Sequence, residues 1–497
     1  MKLVLINPNI VTQKGDFLGS GIPYMPVSLA SLAAYLREKR HSVAVIDAFG
    51  ECPTKLRAEE GFIVQGLTYQ EILERFPQDA DAAIVYASSI MSFEILLNII
   101  RHIRKQFAKP LIVAENSQSV TAFSLQNCYR QLMDTGADFL VMGDLELRTE
   151  LLLKSIQNHD LGYKKIDGII YKERHKSIVN QVRNFQKNLD ILPFPAWDLF
   201  PLKNYWKLGY SHGPLSSKKY LPLLTSRGCA FSCGFCIAPG LNKGVWRAKS
   251  AKRVVDEIEH WGTEYGVEEF HVEDLNPTID KRRTKDICNE ILVRKLEIIW
   301  KLAAGSKIET VDEETIRLMA KAGCRYISFS PETGSKELLK KMGKPFNHNL
   351  ALRLAAVMGS CGIKSQACFV LGFPGETKQD IELTKSYIKK LAKAGVDEIA
   401  VFICTPIPGS GCFGKITGYS KISELTFSPR WRKDYSTLES ARRNLYAAFL
   451  LAKLVYHPLN LLKQPLNIIT RNFQTKMEMT VYRVLKVKWL YLFRLRH

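Results

Sequence analysis

The sequence predicts an α/β architecture, with a doubly wound sheet first, a partial (β/α)6 barrel second, and a basic helical tail. Three observations carry that expectation. Short apolar strands alternate with helical stretches over residues 1–150, longer strand–helix units run from 218 to about 412, and cations accumulate beyond 440. At 497 residues the chain exceeds one ordinary core, which predicts two or three domains. Its 46% hydrophobic and 24% charged residues are those of a folded globular protein.

In the first half, Leu3–Ile6 reads as a strand and Pro26–Lys39 as a helix, with Leu29, Leu32, Ala33 and Leu36 at helical spacing. Ser42–Asp47, Ala82–Ala87, Leu111–Ala114 and Phe139–Met142 follow as strands, and Ser92–Phe107 has helical periodicity. Such alternation predicts a parallel, Rossmann-like sheet whose ligands sit at the carboxyl ends of its strands. The loops there hold Asn7, Pro8 and Asn9; Asp47; Ser88 and Ser89; Asn116 and Ser117; and Gly143.

Residues 151–217 join the halves. Ile166–Tyr171 and Ile178–Val182 look like a hairpin around the charged Lys172-Glu173-Arg174-His175, and the Pro-broken stretch 192–199 reads as a stiff linker. From 218 to 415 the expected strands are Tyr220–Thr225, Glu269–Val272, Trp300–Gly305, Tyr326–Phe329, Ser365–Val370 and Glu398–Ile403. Helices are expected between them, among them Ala251–Tyr265, Glu313–Ala322 and Gln379–Ala394. Six such units suggest a partial barrel with its chemistry at the strands' carboxyl ends.

After the first of these strands come Cys229, Cys233 and Cys236, three thiols within eight residues. Thiolates so spaced suit a soft metal centre, and iron–sulfur clusters are held by such ligands. A tetrahedral zinc site would want a fourth ligand nearby, and neither Cys nor His follows Cys236 before His260. Three ligands on a four-iron cluster would leave one iron open. The other cysteines are scattered, unlike a secreted disulfide scaffold.

Residues 440–497 carry eleven Lys/Arg and one acid, Glu478. Leu445, Ala448, Phe449, Ala452 and Val455 share one helical face, as do Tyr482, Leu485, Trp489 and Leu492. Basic amphipathic helices can lie in a membrane interface or pack back on the barrel, and Lys453, His457 and Pro458 argue against a span. The formal charge of +21 suggests an anionic partner; no recognised module points to nucleic acid. The start, Met1–Pro8, is a buried-strand pattern without a signal-peptide apolar region, and an oxygen-sensitive cluster needs a reducing compartment. The expectation is a cytoplasmic protein, peripheral at the inner face of the membrane if the tail binds it.

The spacing C-x3-C-x2-C, with Phe235 before the last cysteine, resembles the signature of radical S-adenosylmethionine (SAM) enzymes. The resemblance implies a 4Fe-4S cluster on Cys229, Cys233 and Cys236, SAM chelating the open iron, and a 5′-deoxyadenosyl radical on reductive cleavage. Glu273, Asp274 and Asn276 stand where the family holds the amino group of SAM, and Phe235 of the cysteine motif is a further cofactor-binding candidate. Glu332 matches a glutamate that contacts the ribose, and Gly372 the segment near the adenine. A turn-initiating role for Asp274 and a helix-dipole role for Glu332 are the structural alternatives.

The first half is similar to the cobalamin-binding domain found in front of one class of these enzymes. Leu5-Ile6-Asn7-Pro8, residues 26–36 and Val43–Ala48 carry that similarity, with Gly143-Asp144-Leu145-Glu146 where Gly-Glu-x-Glu is usual. Two departures stand out. Ala114-Glu115-Asn116-Ser117 replaces a segment that opens on two glycines, and Ser330-Pro331 precedes Glu332 where glycine and a branched residue are usual. The similarity covers residues 1 to about 415. It implies a cobalamin-binding domain at 1–150, a hairpin and linker at 151–217, a radical SAM domain at 218–415 and a tail at 416–497.

The implied function is a cobalamin-dependent methyltransferase at an unactivated carbon of a small-molecule, lipid or peptide substrate, fed by a flavodoxin- or ferredoxin-type electron donor. Radical cyclisation, rearrangement or carbon–carbon coupling on a lipid or tetrapyrrole-like substrate is the alternative. A non-enzymatic membrane- or RNA-binding protein with a structural cluster is the other.

Overall fold

The computed structural model describes residues 1–494 except positions 60, 120 and 175. Its first sheet is built from β1 (Lys2–Asn7), α1 (Val27–Glu38), β2 (Ser42–Asp47), β3 (Ala82–Ala87), α2 (Phe93–Arg104), β4 (Leu111–Glu115), α3 (Tyr129–Thr135), β5 (Phe139–Val141) and α4 (Leu145–Gln157). The order β2-β1-β3-β4-β5 is parallel throughout, which places a topological switch point between β1 and β3. Alternation along β1 sends Leu3 and Leu5 into one core and Val4 and Ile6 into another, so both faces of the sheet are buried.

The hairpin expected between the halves is part of this sheet. β6 (Ile169–Glu173) pairs antiparallel with β5, and β7 (Lys176–Val179) forms the outer edge. Its charged turn ends at His175, outside the described residues. A separate antiparallel sheet of Ile10–Gln13, Leu56–Glu59 and Phe62–Gln65 has strands too short and irregular to have been read from periodicity.

The second sheet has six parallel strands in sequence order: β8 (Tyr220–Leu223), β9 (Glu269–Val272), β10 (Ile299–Ser306), β11 (Cys324–Glu332), β12 (Lys364–Leu371) and β13 (Glu398–Ile403). The helices between them begin on side-chain caps, which fix where each strand-end loop stops. Ser250 caps the helix Ala251–Tyr265, Asp280 caps Lys281–Val293, Asp312 caps Glu313–Lys321, and Thr377 caps Lys378–Lys393 in a reciprocal box with Asp380. One continuous apolar core joins the two sheets, running from Leu29 and Leu32 of α1 through Tyr205 and Tyr210 to Trp261 and Phe270.

The tail forms three helices, Tyr435–Tyr456, Pro458–Thr470 and Lys476–Arg494. The face of the first that carries Leu445, Ala448, Phe449 and Ala452 is buried against the second sheet and the helix Lys378–Lys393, so it is core rather than a membrane face; Val455 stays exposed. The third helix is threaded between both halves. Glu398 of β13 accepts the Lys476 and Met477 N–H groups at 2.9 and 2.7 Å, and Arg483 donates to the carbonyls of Phe17, Leu18 and Ser20. Among the described residues no single helix is long and apolar enough to cross a membrane; the first two tail helices pass that test only as a pair bent by 110°.

Candidate functional site

The three cysteines lie on the loop after β8, half-buried and unbridged. Asp274 positions that loop. Buried at the end of β9, it accepts the Thr225 N–H at 2.7 Å and the hydroxyls of Thr225 and Ser226 at 2.6 Å each. Those bonds engage both carboxylate oxygens, so Asp274 anchors the approach to Cys229 instead of facing a ligand. On the far side, Gly234 donates to the Met342 carbonyl at 2.8 Å. Phe235 packs with Met342, Val370 and Phe373. Burial raises all three thiols, Cys236 to about 12, while the nearby Lys344 charge opposes the rise. No three His, Cys, Asp or Glu side chains among the described residues converge as single-ion ligands would. A four-iron cluster asks for something different, since each thiolate takes a separate iron.

Glu332 ends β11 with φ 64°, a left-handed conformation that a non-glycine residue holds at a cost of order 1–3 kcal/mol. Its carboxylate is buried and paired with the equally buried Lys344. Burial works to lower the Lys344 ammonium, yet Glu332 and then Cys233 raise it on balance, which places both charges beside the cysteines. The helix that follows is capped by the Ser335 side chain, not by Glu332. Lys344 escaped the sequence reading because it lies in a loop, twelve residues beyond its partner.

Ser306 was missed as well. It ends β10 with its hydroxyl buried and unpartnered, and the next residue, Lys307, places its ammonium 4.1 Å from the centre of the Phe231 ring in the cysteine loop. Gly372, by contrast, is occupied from within. Its φ is +73°, and a Cβ there would meet Leu438 Cδ1 at 2.7 Å, so its missing side chain makes room for the tail. Asn276 is buried and its carbonyl accepts the Trp246 indole N–H at 3.1 Å.

Glu273 points elsewhere. It binds His212 Nδ1 at 2.7 Å, and the His212 ring lies tilted against Tyr24 with centroids 4.4 Å apart. Both Glu273 and Tyr24 line an open cavity between the two sheets. Asn7, Pro8, Ser88, Ser89 and Asn116 line it from the carboxyl ends of β1, β3 and β4, across the switch point; Leu224, Glu273 and Ala304 face them. The Ser89 hydroxyl is buried there without a partner.

Four other residues expected at this site lie outside the lining. Asn9 donates to the carbonyls of Gln65 and Leu67. Asp47, raised to about 6 by burial, accepts from Asn7, Gly50 and Tyr205. Ser117 donates to the Gly143 carbonyl at 3.1 Å, and Gly143 donates in turn to Glu115 at 2.9 Å. Glu115 thus folds back into the protein, where it also accepts the Leu125 N–H, and the glycine-poor loop leaves the cavity open. The segment 21–25 supplies Gly21, Ile22, Tyr24 and Met25 to the lining and went unread, although Gly21 and Pro23 mark an irregular loop before α1.

A buried clamp ties the halves together beside the cysteines. Glu146 of α4 takes Arg227 in a bidentate pair at 2.5 and 2.8 Å, and Asp144 pairs with Arg247. Gln118 accepts the Gly228 N–H at 3.0 Å, one residue before Cys229. The acids of Gly143-Asp144-Leu145-Glu146 therefore fix the cysteine loop relative to the first sheet.

Residues 223–388 match the family model of the Radical SAM superfamily. The chain is 28% identical over 443 residues to an uncharacterised methyltransferase of Pyrococcus horikoshii, covering 88% of this chain and 87% of that one. It is 24% identical to the cytidylyl-2-hydroxyethylphosphonate methyltransferase of Streptomyces wedmorensis, over 82% and 80%. It is 23% identical to the anaerobic magnesium-protoporphyrin IX monomethyl ester cyclase of a Synechocystis species, over 92% and 85%. Its fold is that of the radical SAM methyltransferase TsrM of Kitasatospora setae, solved with tryptophan substrate and a SAM analogue, at TM-score 0.65 and 16% identity, over 90% of this chain and 88% of that one. The cobalamin-dependent radical enzyme OxsB, solved with aqua-cobalamin and SAM, follows at TM-score 0.62 and 18% identity, over 89% and 56%.

Proposed function

We propose that this chain, a radical SAM enzyme by the domain at residues 223–388, is a cobalamin-dependent methyltransferase acting on an unactivated carbon. The observation that carries the reading is the cleft at the switch point, lined from one side by the strand ends of the first sheet and from the other by Leu224, Glu273 and Ala304 at the strand ends of the second. The methyltransferases among its relatives support it. The second sheet takes the part of a partial (β/α)6 barrel in this reading.

The residues present fit the implied groups. Cys229, Cys233 and Cys236 would hold the cluster, with Glu332 and Ser306 placed toward SAM. Asn7, Pro8, Ser88, Ser89 and Asn116 would line the corrinoid, with the unpartnered Ser89 hydroxyl free to bond a ligand amide. When bound, the cluster with SAM supplies a hydrogen-abstracting radical and cobalamin a transferable methyl group. The protein's share is orientation and exclusion of water. Asp274 and the Arg227–Glu146 pair hold the cysteine loop at a fixed place beside the cavity, and the shared apolar core closes the surroundings. An unactivated carbon is neither acidic nor nucleophilic, so no general base is required for this step. A flavodoxin- or ferredoxin-type donor in the cytoplasm would supply the electron.

The test is anaerobic reconstitution with dithionite and SAM, with 5′-deoxyadenosine and S-adenosylhomocysteine assayed with and without cobalamin. Both products are expected, the second only with cobalamin. Replacing Cys229, Cys233 and Cys236 together with Ala should abolish the iron–sulfur absorbance and SAM cleavage, while Cys361→Ser leaves both. Retention of about four irons and of cleavage by the triple variant would sink the assignment. The cyclase relative favours ring formation as the second reading; 5′-deoxyadenosine without S-adenosylhomocysteine would select it.

A further inference from the structure

Exposed hydrocarbon is concentrated in the tail. Twelve of the twenty-one large apolar side chains left exposed among the described residues lie between 450 and 492. The helix Pro458–Thr470 is the extreme case. It buries no residue, and Leu459, Leu462, Leu466 and Ile469 repeat at i, i+3, i+7 and i+10, so they form one outward stripe, 61–78% exposed. On the helix before it, Leu450, Leu451, Leu454 and Val455 lie outward, opposite the face buried on the second sheet. On the helix after it, Leu485, Trp489 and Leu492 are exposed, with Lys488 beside them.

The charge on this surface has one sign. Between 440 and 492 the single carboxylate is Glu478, which is 2% exposed and accepts from Asn467 Nδ2 and from the backbone N–H groups of Gln474 and Thr475. Arg443, Lys463, Arg471 and Lys488 stay exposed around the apolar stripes. A stripe awaiting a second protein usually carries a rim of both signs, whereas this surface offers hydrocarbon and cations only. That combination matches an anionic bilayer surface, where apolar side chains enter the acyl boundary and cations meet headgroup charge. The bend of 110° between the first two tail helices lets the second lie flat while the first stays docked on the sheet.

We infer that the tail helices seat the protein on an anionic phospholipid bilayer, with the stripe Leu459, Leu462, Leu466 and Ile469 as its inserted edge. The test floats the full-length, cluster-loaded protein with vesicles of phosphatidylcholine alone or containing phosphatidylglycerol. Binding is expected on the anionic vesicles and should weaken as salt is raised. The double variant Leu462→Glu/Ile469→Glu should lose about tenfold or more of that binding. Its dithionite-driven SAM cleavage should stay at the level of the parent, because neither residue touches the candidate site. Three results would overturn the inference. One is failure to bind anionic vesicles, and another is equal binding to neutral and anionic vesicles. The third is a vesicle-free dimer of the parent that the double variant dissociates, which would make a second copy the occupant of this face.

Discussion

Glu332 and Lys344 form a buried ion pair next to the cysteines, on a backbone that a non-glycine residue rarely adopts. An ordinary helix-start acid would need neither the left-handed φ nor the buried partner. Glu332→Gln is therefore expected to weaken SAM binding by about tenfold or more, the equivalent of a charge-assisted hydrogen bond of roughly 1.5–3 kcal/mol. The iron–sulfur absorbance should persist. Calorimetry on the cluster-loaded variant checks it, and unchanged SAM affinity would return Glu332 to a structural role.

Glu115 offers a second test at this scale. Burial raises its carboxyl from 4.5 to about 7, although the Gly143 and Leu125 N–H groups favour its charged form. A carboxyl raised in the folded state binds more protons folded than unfolded. Its contribution is full below about pH 4.5 and is lost as pH rises through about 7. Urea denaturation should show the stability of the parent relative to Glu115→Gln falling between about pH 5 and pH 8. A difference independent of pH would refute a buried carboxyl that takes up a proton near pH 7.

The roles of these residues were unevenly legible. The cysteines were readable because short spacing is itself the chemistry. Asp274 and Asp47 were not, since a strand-end carboxylate looks the same in sequence whether it faces a ligand or its own backbone; only the bonds to Thr225 and Ser226, or to Asn7 and Tyr205, decide.

Among the elements, α4 does more than complete a strand–helix unit. Its first turn delivers Glu146 to Arg227, two residues before Cys229, in a fully buried bidentate pair. Such a pair adds little net stability while intact, but breaking it leaves the buried Arg227 with only Asp144, 3.5 Å away and shared with Arg247. Glu146→Gln should destabilise the protein by about 3–5 kcal/mol. Double truncation, Glu146→Gln with Arg227→Met, should recover part of that loss, and thermal unfolding of both variants measures it. Equal destabilisation by the double variant would mean that the pair does not act as a unit. The parallel strands of both sheets and the helices near 26–39, 92–107, 251–265, 313–322 and 379–394 were legible from period, whereas Tyr129–Thr135, Leu145–Gln157, Lys281–Val293 and His348–Ser360 were not read. The three short strands between 10 and 65 were not legible, being four residues each and paired with one another rather than with either large sheet.

At the scale of the whole molecule, the sequence told two sheets apart but not how they meet. Amphipathic periodicity says that a helix has an apolar face, not what covers it. So the burial of the tail's first helix and the threading of its third between the halves had to come from the structure. The meeting of the sheets creates the cavity, and it bears on how a corrinoid would be held. The described lining carries no histidine; His212 beside it is committed to Glu273 and to a tilted contact with Tyr24, and His271 to Glu269. The loop Ala114–Ser117 stands back from the cavity except for Asn116, whose amide nitrogen already donates to the Ser88 carbonyl at 2.9 Å. Asn116 Oδ1 and the unpartnered Ser89 hydroxyl are then the polar groups on this side best placed for a corrinoid's amide chains. Purification with excess hydroxocobalamin should yield stoichiometric corrinoid with no protein nitrogen on cobalt, and Ser89→Leu should lower the bound fraction by filling the cavity. An axial nitrogen splits the paramagnetic resonance signal of the reduced cobalt, and labelling the protein with 15N-histidine distinguishes an imidazole from the corrinoid's own benzimidazole. A histidine-split spectrum, or full corrinoid loading in Ser89→Leu, would defeat this assignment of the cavity.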